Sequence, residues 1–376
     1  MLYFIFALLN FILVLPLLHL WYRGIQRITV LPDKHAFSQQ DVTVSVIVAA
    51  RNEEKDIGAC IESLTRQQDI DAEIILVNDR SEDLTGEIID EYATRYENIH
   101  PIHIHELPSG WLGKNHALAQ GAKQANGEWL LFIDADVQLA PNTIASSVDY
   151  AKREEVDHLP MLPENKGGSK AFRAFFTYWS ILGIINFTAI RHVGIGAYNL
   201  ISKSVYDDIG GHDTIRLRPD DDLKLGKRVV DEGFKQQLAL GYGWVYIQWY
   251  ASLPQMIKGL EKNLFAFLNY RLSMVVFSSL ALIFFHIFPF VALIIFWHHH
   301  ASLLLLATIV LYMLFYYMNT RVFHHPWRYV WYIPLHAIIF LYTLWRSTLK
   351  TLSSGGVTWR GTTYQLDELR KHMNKD

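Results

Sequence analysis

The segment "LLFIDADVQL" (130–139) ends an apolar, strand-like run on Asp134, Ala135 and Asp136, two carboxylates separated by one methyl side chain. Acidic residues are poor strand formers and repel one another, so this placement calls for a counter-charge. In extended chain, residues i and i+2 project to the same side. Asp134 and Asp136 can therefore approach one cation together, with Ala135 leaving room. Magnesium or manganese suits oxygen ligands, and magnesium commonly takes one or two carboxylates plus substrate phosphates. On these three residues alone, another account carries equal weight. The acids could end a strand near the helix-like "PNTIASSVDYAKR" (141–153), where negative charge is favourable. Further polar clusters stand at "ARNEE" (50–54), at "NDRSED" (78–83) and at the acidic triplet of "PDDDLKLG" (219–226).

The first two of these clusters close strand-like runs, as the DAD does. "VTVSVIVAA" (42–50), "AEIILVND" (72–79) and "EWLLFID" (128–134) are rich in β-branched and large apolar residues, and "HPIHIHEL" (100–107) reads as a shorter strand. Between them lie helix-like segments, "EEKDIGACIESLTRQ", "DLTGEIIDEYATRY" and "GKNHALAQGAKQANG", the last closed by Gly127 as a C-cap. Such alternation predicts an α/β domain with a mostly parallel sheet and helices on both faces. Sheets of this kind bind ligands outside the carboxyl ends of their strands, where the polar clusters stand. No GxGxxG or GxxxxGKS is present, so neither a dinucleotide site nor a P-loop is signalled. "GIGAYN" (194–199) has a GxG without the rest of that fingerprint and reads as a tight turn.

The ordered set resembles the family 2 glycosyltransferases of GT-A fold, a Rossmann-like, mostly parallel architecture. "VSVIVAARNEEKDI" is similar to their opening strand and loop, "VNDRSED" to their second acidic motif, and "FIDADV" to their DxD element. "GGHDTIRLRPDDDLKLGKRVVDEG" resembles the later region in which an acidic pair precedes a helix. "GWLGKNHAL", with the apolar segments at both ends, is similar to the membrane-bound branch that glycosylates carotenoid, hopanoid or other lipid acceptors. The resemblance implies that Ala50, Arg51 and Glu53 hold the nucleotide, with Asp79 near the uracil or ribose and Lys114 facing the diphosphate. It assigns Asp134 to the nucleotide sugar and Asp136, with Asp134, to a divalent cation, Mg2+ or Mn2+. Asp222 becomes the catalytic base and Asp221 takes the neighbouring Glu position, though the triplet leaves this ambiguous by one residue.

The implied reaction is inverting transfer of a single sugar from a nucleotide-sugar donor, a UDP-sugar, to a lipid acceptor. A Gln/Arg-x-x-Arg-Trp motif marks processive polysaccharide synthases and ceramide glucosyltransferases of this family. The corresponding stretch here, "YIQWYASLPQMIKGLEKN", lacks it, with Gln248, Trp249 and Lys262 as partial substitutes. That argues against chain extension. A silent nucleotide-sugar-binding module is the other alternative, and the retained Asp79, Asp134, Asp136 and Asp222 speak against it.

The 376 residues are 51% hydrophobic and 19% charged, a mixture that fits a water-facing domain joined to membrane segments. A net charge of −3 without a long basic run offers nothing to nucleic acid. Residues 1–22 read as an apolar anchor, and Arg23, Arg27 and Lys34 behind it place the next segment in the cytoplasm. The expected organisation is a GT-A domain over 41–246, an interfacial segment over 247–272, transmembrane segments over 273–346 and a basic tail over 347–376. Apolar stretches at 273–297, 301–318 and 329–345 predict about three C-terminal transmembrane helices in a cell-membrane protein. A three-span count would put the tail opposite the main domain, whereas "GVTWRGTTY" (356–364) resembles a Trp-Arg/Lys-Gly element that favours a cytoplasmic tail. The aromatic stretch 171–192 is either a core helix or one lying on the membrane surface. Cys60, the single cysteine, excludes intrachain disulfides, and the histidines at 100, 103, 105, 298–300, 324 and 325 lack metal-ligand spacing.

Overall fold

A computed structural model describes residues 1–32, 42–261, 263–359 and 362–373. Lys34, Asp41 at the expected domain start, Lys262 and Arg360 lie outside the described residues. The chain divides into two compact units. One comprises Arg27–Gly167 and His192–Trp249, the other Met1–Gln26, Gly168–Arg191 and the chain from Tyr250 onward.

The first unit is built on a sheet of nine strands: β1 (Thr29–Val30), β2 (Thr43–Ala50), β3 (Asp71–Asp79), β4 (Ile99–Ile104), β5 (Trp129–Asp134), β6 (Gln138–Leu139), β7 (His158–Asn165), β8 (Asn199–Ser202) and β9 (Ala239–Ile247). Their order is β1-β9-β7-β8-β5-β2-β3-β4, with β6 beside β9. The β5-β2-β3-β4 half is parallel throughout, while β8 runs antiparallel to both β5 and β7. This is the mostly parallel sheet that the alternating pattern predicts. Along β2 every residue from Val44 to Val48 is buried, as strands covered on both faces require. Val44, Val46 and Val48 pack on one face with Ile57, Ile61 and Leu131. Ile47 packs on the other with Ile75, Val77, Ala117, Leu118 and Phe132. Burying one such aliphatic side chain contributes about 1.5–3 kcal/mol, so the two layers dominate the stability of this unit.

Register follows from the strand pairing and positions the chemistry. Ala49 lies beside Asp134 on one neighbour and Val77 on the other, and Ala50 lies beside Asn78. The three polar clusters therefore leave adjacent strands at the same edge of the sheet.

The second unit is helical. Three of its helices are long and apolar enough to cross a membrane: Leu2–Arg27, Leu272–Ile295 and Ser302–Phe323. Of the three apolar C-terminal stretches, the first two supply such helices. The third lies largely in the helix Ile333–Ser354, which is not among them; Arg346 and Lys350 occupy its second half, both paired with the buried Glu261. The tail beyond it forms a hairpin, Gly356–Trp359 with Thr362–Gln365, and a short helix, Leu366–Met373. The aromatic stretch is the helix Lys170–Ile190, and it belongs to this unit. Phe175 is fully buried and stacks on Phe340, and Phe176 is also buried, so these side chains are packed among helices.

Within Leu272–Ile295, residues Ile283–Ile287 form a π turn, and Pro289 follows immediately. A proline has no N–H to give, so carbonyls upstream lose their helical donors. Tyr312 Oη donates to the Phe285 carbonyl at 2.8 Å, and Asn10 Nδ2 donates to the Phe284 carbonyl at 2.7 Å. Apolar surroundings demand such substitutes. Tyr312→Phe removes one of them and is expected to lower unfolding stability by about 1 kcal/mol, measured by denaturant titration in detergent micelles. Unchanged stability would show that the kink satisfies its own backbone.

Candidate active site

Lys114 is the cation of the sheet edge. It sits in the first turn of the helix Gly113–Gln124, and its Nζ lies 2.8 Å from Asp134 Oδ1 and 3.4 Å from Asp221 Oδ2. Burial opposes its charge, yet the carboxylates of Asp134, Asp221 and Asp222 outweigh this and raise its pKa above the ordinary lysine value. The end of β5 is thereby tied to the start of the helix Asp221–Asp231.

The acidic triplet separates into three environments. Asp220 is buried and receives both Nε and Nη2 of the buried Arg218, each at 3.0 Å. Asp221 is buried against Lys114. Asp222 keeps partial exposure, and its two oxygens accept N–H groups of Gly196 and Leu223, both at 2.8 Å. Burial, followed by the Asp221 charge, pushes the Asp222 carboxyl up to about 7. A carboxyl group poised near neutrality with an open side suits proton transfer.

Asp134 and Asp136 are both half-buried around the fully enclosed Ala135, as the i, i+2 spacing requires. Asp136 is likewise pushed up to about 7, by burial first and then by the charges of Asp134 and Glu53. A divalent ion would offset both the burial of this charge and its repulsion by the neighbouring carboxylates, so Asp136 with Asp134 fits a hard cation. Among the described residues no group of three or more His, Cys, Asp or Glu side chains could hold a metal alone. Oxygens from a substrate would have to complete the shell. Beneath them Cys60 is fully buried, and burial, then Asp136 and Asp134, pushes its thiol far above the ordinary range.

The remaining sequence-derived residues surround this cluster. Ala50 ends β2, and the loop after it is fixed to the second motif: Glu53 N–H donates to Thr85 Oγ1 at 2.8 Å, and Glu82 N–H donates to Asn52 Oδ1 at 2.8 Å. Arg51 Nε is buried with no hydrogen-bond partner among the described residues. Asp79 is buried and bridged by Arg80 through two bonds of 2.7 and 3.1 Å, so its carboxylate is already engaged. His103 is held by Asn78 and Asp90, an ordinary hydrogen-bonded histidine.

The loop "GIGAYN", which reads as a tight turn in the sequence, is part of this site. Gly196 gives its N–H to Asp222 and takes the Asp134 N–H on its carbonyl at 3.0 Å. A Cβ at 196 would stand 2.7 Å from Asp134 Oδ2, and one at 194 would stand 1.7 Å from the Asp222 carbonyl oxygen. Only glycine permits this approach. Gln236 secures the loop, accepting from Val193 N–H at 2.8 Å and donating to the Val193 and Gly226 carbonyls and to His158. Nothing local in the sequence marks these partners, which lie far apart along the chain. On the other side, Asn115 Nδ2 donates to the carbonyls of Ile215 and Arg218 at 2.8 and 2.9 Å, tethering the loop that carries the triplet.

A profile of glycosyl transferase family 2 matches residues 45–210, which contain the end of β2, the Asp79 and Lys114 regions and the DAD. The 4,4'-diaponeurosporenoate glycosyltransferase of Staphylococcus aureus strain USA300 is 26% identical over 231 residues, 59% of this chain and 60% of the relative. That of the bovine strain RF122 / ET3-1 is 25% identical over 232 residues. The match thus spans 60% of the length of these curated relatives. The mannosyltransferase PcManGT from Pyrobaculum calidifontis, solved in complex with GDP-Man and Mn2+, shares 15% identity at a TM-score of 0.56. That likeness covers 94% of this chain and 99% of the other, and it speaks to the fold.

Two pushed-up carboxyl groups make stability depend on pH. Each binds its proton more tightly in the folded state, so its favourable contribution is complete below about 4 and is lost as pH rises through about 7. The protein stripped of divalent ions should therefore melt at lower temperature at pH 8 than at pH 5.5. Asp136→Asn should flatten that slope by an amount on the order of 1 kcal/mol. A variant with an unchanged slope would show that Asp136 is not strained in this way.

Proposed function

We propose that this enzyme, built around a family 2 glycosyltransferase domain over residues 45–210, moves one sugar from a UDP-sugar to a lipid acceptor with inversion at the anomeric carbon. The observation that carries the reading is Asp222, a partly exposed carboxyl tuned to about 7 beside the Lys114–Asp134 pair. In the proposed step the acceptor hydroxyl oxygen bonds to the anomeric carbon from the face opposite the diphosphate. The bond from that carbon to the phosphate oxygen breaks, its electron pair stays on the diphosphate, and the hydroxyl proton passes to Asp222. Lys114 places a permanent positive charge where the leaving diphosphate gathers negative charge. A divalent ion on Asp136 and Asp134, when bound, would neutralise further charge on the departing diphosphate. Ala50, Arg51 and Glu53 would line the nucleotide, with the unpartnered Arg51 Nε free to meet an acceptor atom on it. Asp79, engaged by Arg80, would act on the base or ribose as part of that pair. Asp221 would hold Lys114 and leave proton transfer to its neighbour.

The lipid acceptor draws support from the three helices apolar enough to cross a membrane and from the 4,4'-diaponeurosporenoate named in the curated relatives. Arg23 and Arg27, following the first of those helices, favour a cytoplasmic catalytic unit.

Asp222→Asn should lower transfer about 10²–10⁴-fold, measured with a labelled nucleotide sugar and membranes, while donor affinity by calorimetry stays close to that of the parent. Transfer by the parent should fall as pH drops below about 7, because the base must be ionised. Near-parental turnover in Asp222→Asn would remove Asp222 from the mechanism. Chelation of divalent ions should abolish transfer and Mn2+ or Mg2+ should restore it, with Asp136→Asn requiring more metal for half-restoration. Full activity in chelator would refute the metal assignment.

A further inference from the structure

The helical unit contains a cavity of about 680 Å3 whose walls combine two chemistries. Lys170, Arg173 and Arg328 line it and are exposed, and among the described residues no acidic one does so. Among the described residues no carboxylate pairs with any of the three. Leu253, Leu335 and Ile339 supply aliphatic wall, and Tyr329 and Tyr332 add amphipathic rings. Deeper, His336 is 3% exposed and lies between the rings of Phe175, Tyr178 and Tyr332, and its Nδ1 has no hydrogen-bond partner among the described residues. A buried ring nitrogen left unpaired costs free energy unless something in the cavity meets it.

The surroundings set the depth at which this cavity would open. The apolar helix Ser302–Phe323 ends on His324 in the left-handed region, and His324, His325 and Pro326 form part of the cavity wall. The following turn, Trp327–Tyr332, exposes Trp327 and Trp331 by 41% and 55%. Tryptophans just beyond an apolar helix mark the level of lipid headgroups. At that level permanent cations attract anionic lipids, and a guanidinium matches phosphate oxygens in pairs.

We propose that this cavity binds one anionic phospholipid. Its phosphate rests on Arg173 and Arg328 with Lys170 nearby, its acyl chain lies along Leu335 and Ile339, and a glycerol or ester oxygen serves His336. Its residues take no part in the proposed sugar transfer, and the site stands or falls independently of that reading.

The test uses the full chain, purified in neutral detergent and stripped of lipid. Native mass spectrometry then follows titration with phosphatidylglycerol, phosphatidylcholine or oleate. Phosphatidylglycerol should bind about 10–30-fold more tightly than phosphatidylcholine, the difference expected of two cations at a headgroup. The double variant Arg173→Ala/Arg328→Ala should bring both phospholipids to the same level, while Arg173→Lys/Arg328→Lys keeps most of the preference. Both variants should elute and melt like the parent. Equal binding of the two phospholipids by the parent would overturn the proposal. So would a preference untouched by the alanine pair, or oleate binding more tightly than phosphatidylglycerol.

Discussion

One ammonium group joins the parts of this sheet edge that would otherwise repel. Asp134 ends a central strand and Asp221 begins a helix some ninety positions later, and Lys114 stands between them at 2.8 and 3.4 Å. Without it, three carboxylates would face one another in a poorly solvated space, and ionising all of them would be costly. Lys114 offsets part of that cost at Asp221, whose carboxyl burial still pushes above the ordinary range, while Asp136 and Asp222 on either side are pushed up to about 7. The site is therefore a graded field: compensated at its centre, short of positive charge at both flanks. In the proposed transfer, those flanks are where a cation and a proton would belong.

Much of this was legible in sequence because the parallel half of the sheet writes itself locally. β2, β3 and β5 each carry an unbroken apolar run, 46–50, 74–77 and 129–133, and each ends on its polar cluster, so strand, edge and chemistry can be read from one stretch of chain. The other half resists reading for definite reasons. β7 contains Pro160 and Pro163, residues that argue against an interior strand, and its pairing with β9 shifts register at Pro163/Glu164. Two glycines in "GIGAYN" suggest a turn, which they make, but the reason they must be glycines is the approach of Asp134 and Asp222. Likewise the triplet 220–222 looks uniform as text. Only Arg218, Lys114 and Gly196, brought in by tertiary structure, divide it into a structural ion pair, a lysine anchor and a partly exposed acid.

The helical unit shows the same principle in apolar surroundings. Its backbone departs from regular helix at a π turn and a proline, and side chains from other helices meet the released carbonyls. Polar residues that hydropathy alone would count as weakening a span, Asn10 and Tyr312, are there to complete the backbone of a neighbour. The helix Ile333–Ser354 carries Arg346 and Lys350 because Glu261 is buried against them, a partnership invisible to any window on one segment.

Cys60 has a practical consequence. It is the chain's single thiol, enclosed under two carboxylates, and burial first, then their charge, holds it in its protonated, unreactive form. Maleimide and spin-label reagents should therefore find nothing to modify in the folded protein. A cysteine introduced at any surface position would be the sole labelling site, with no need to remove the native one. Accessibility mapping from either side of a bilayer, and distance measurements by paired labels, can begin from the natural sequence.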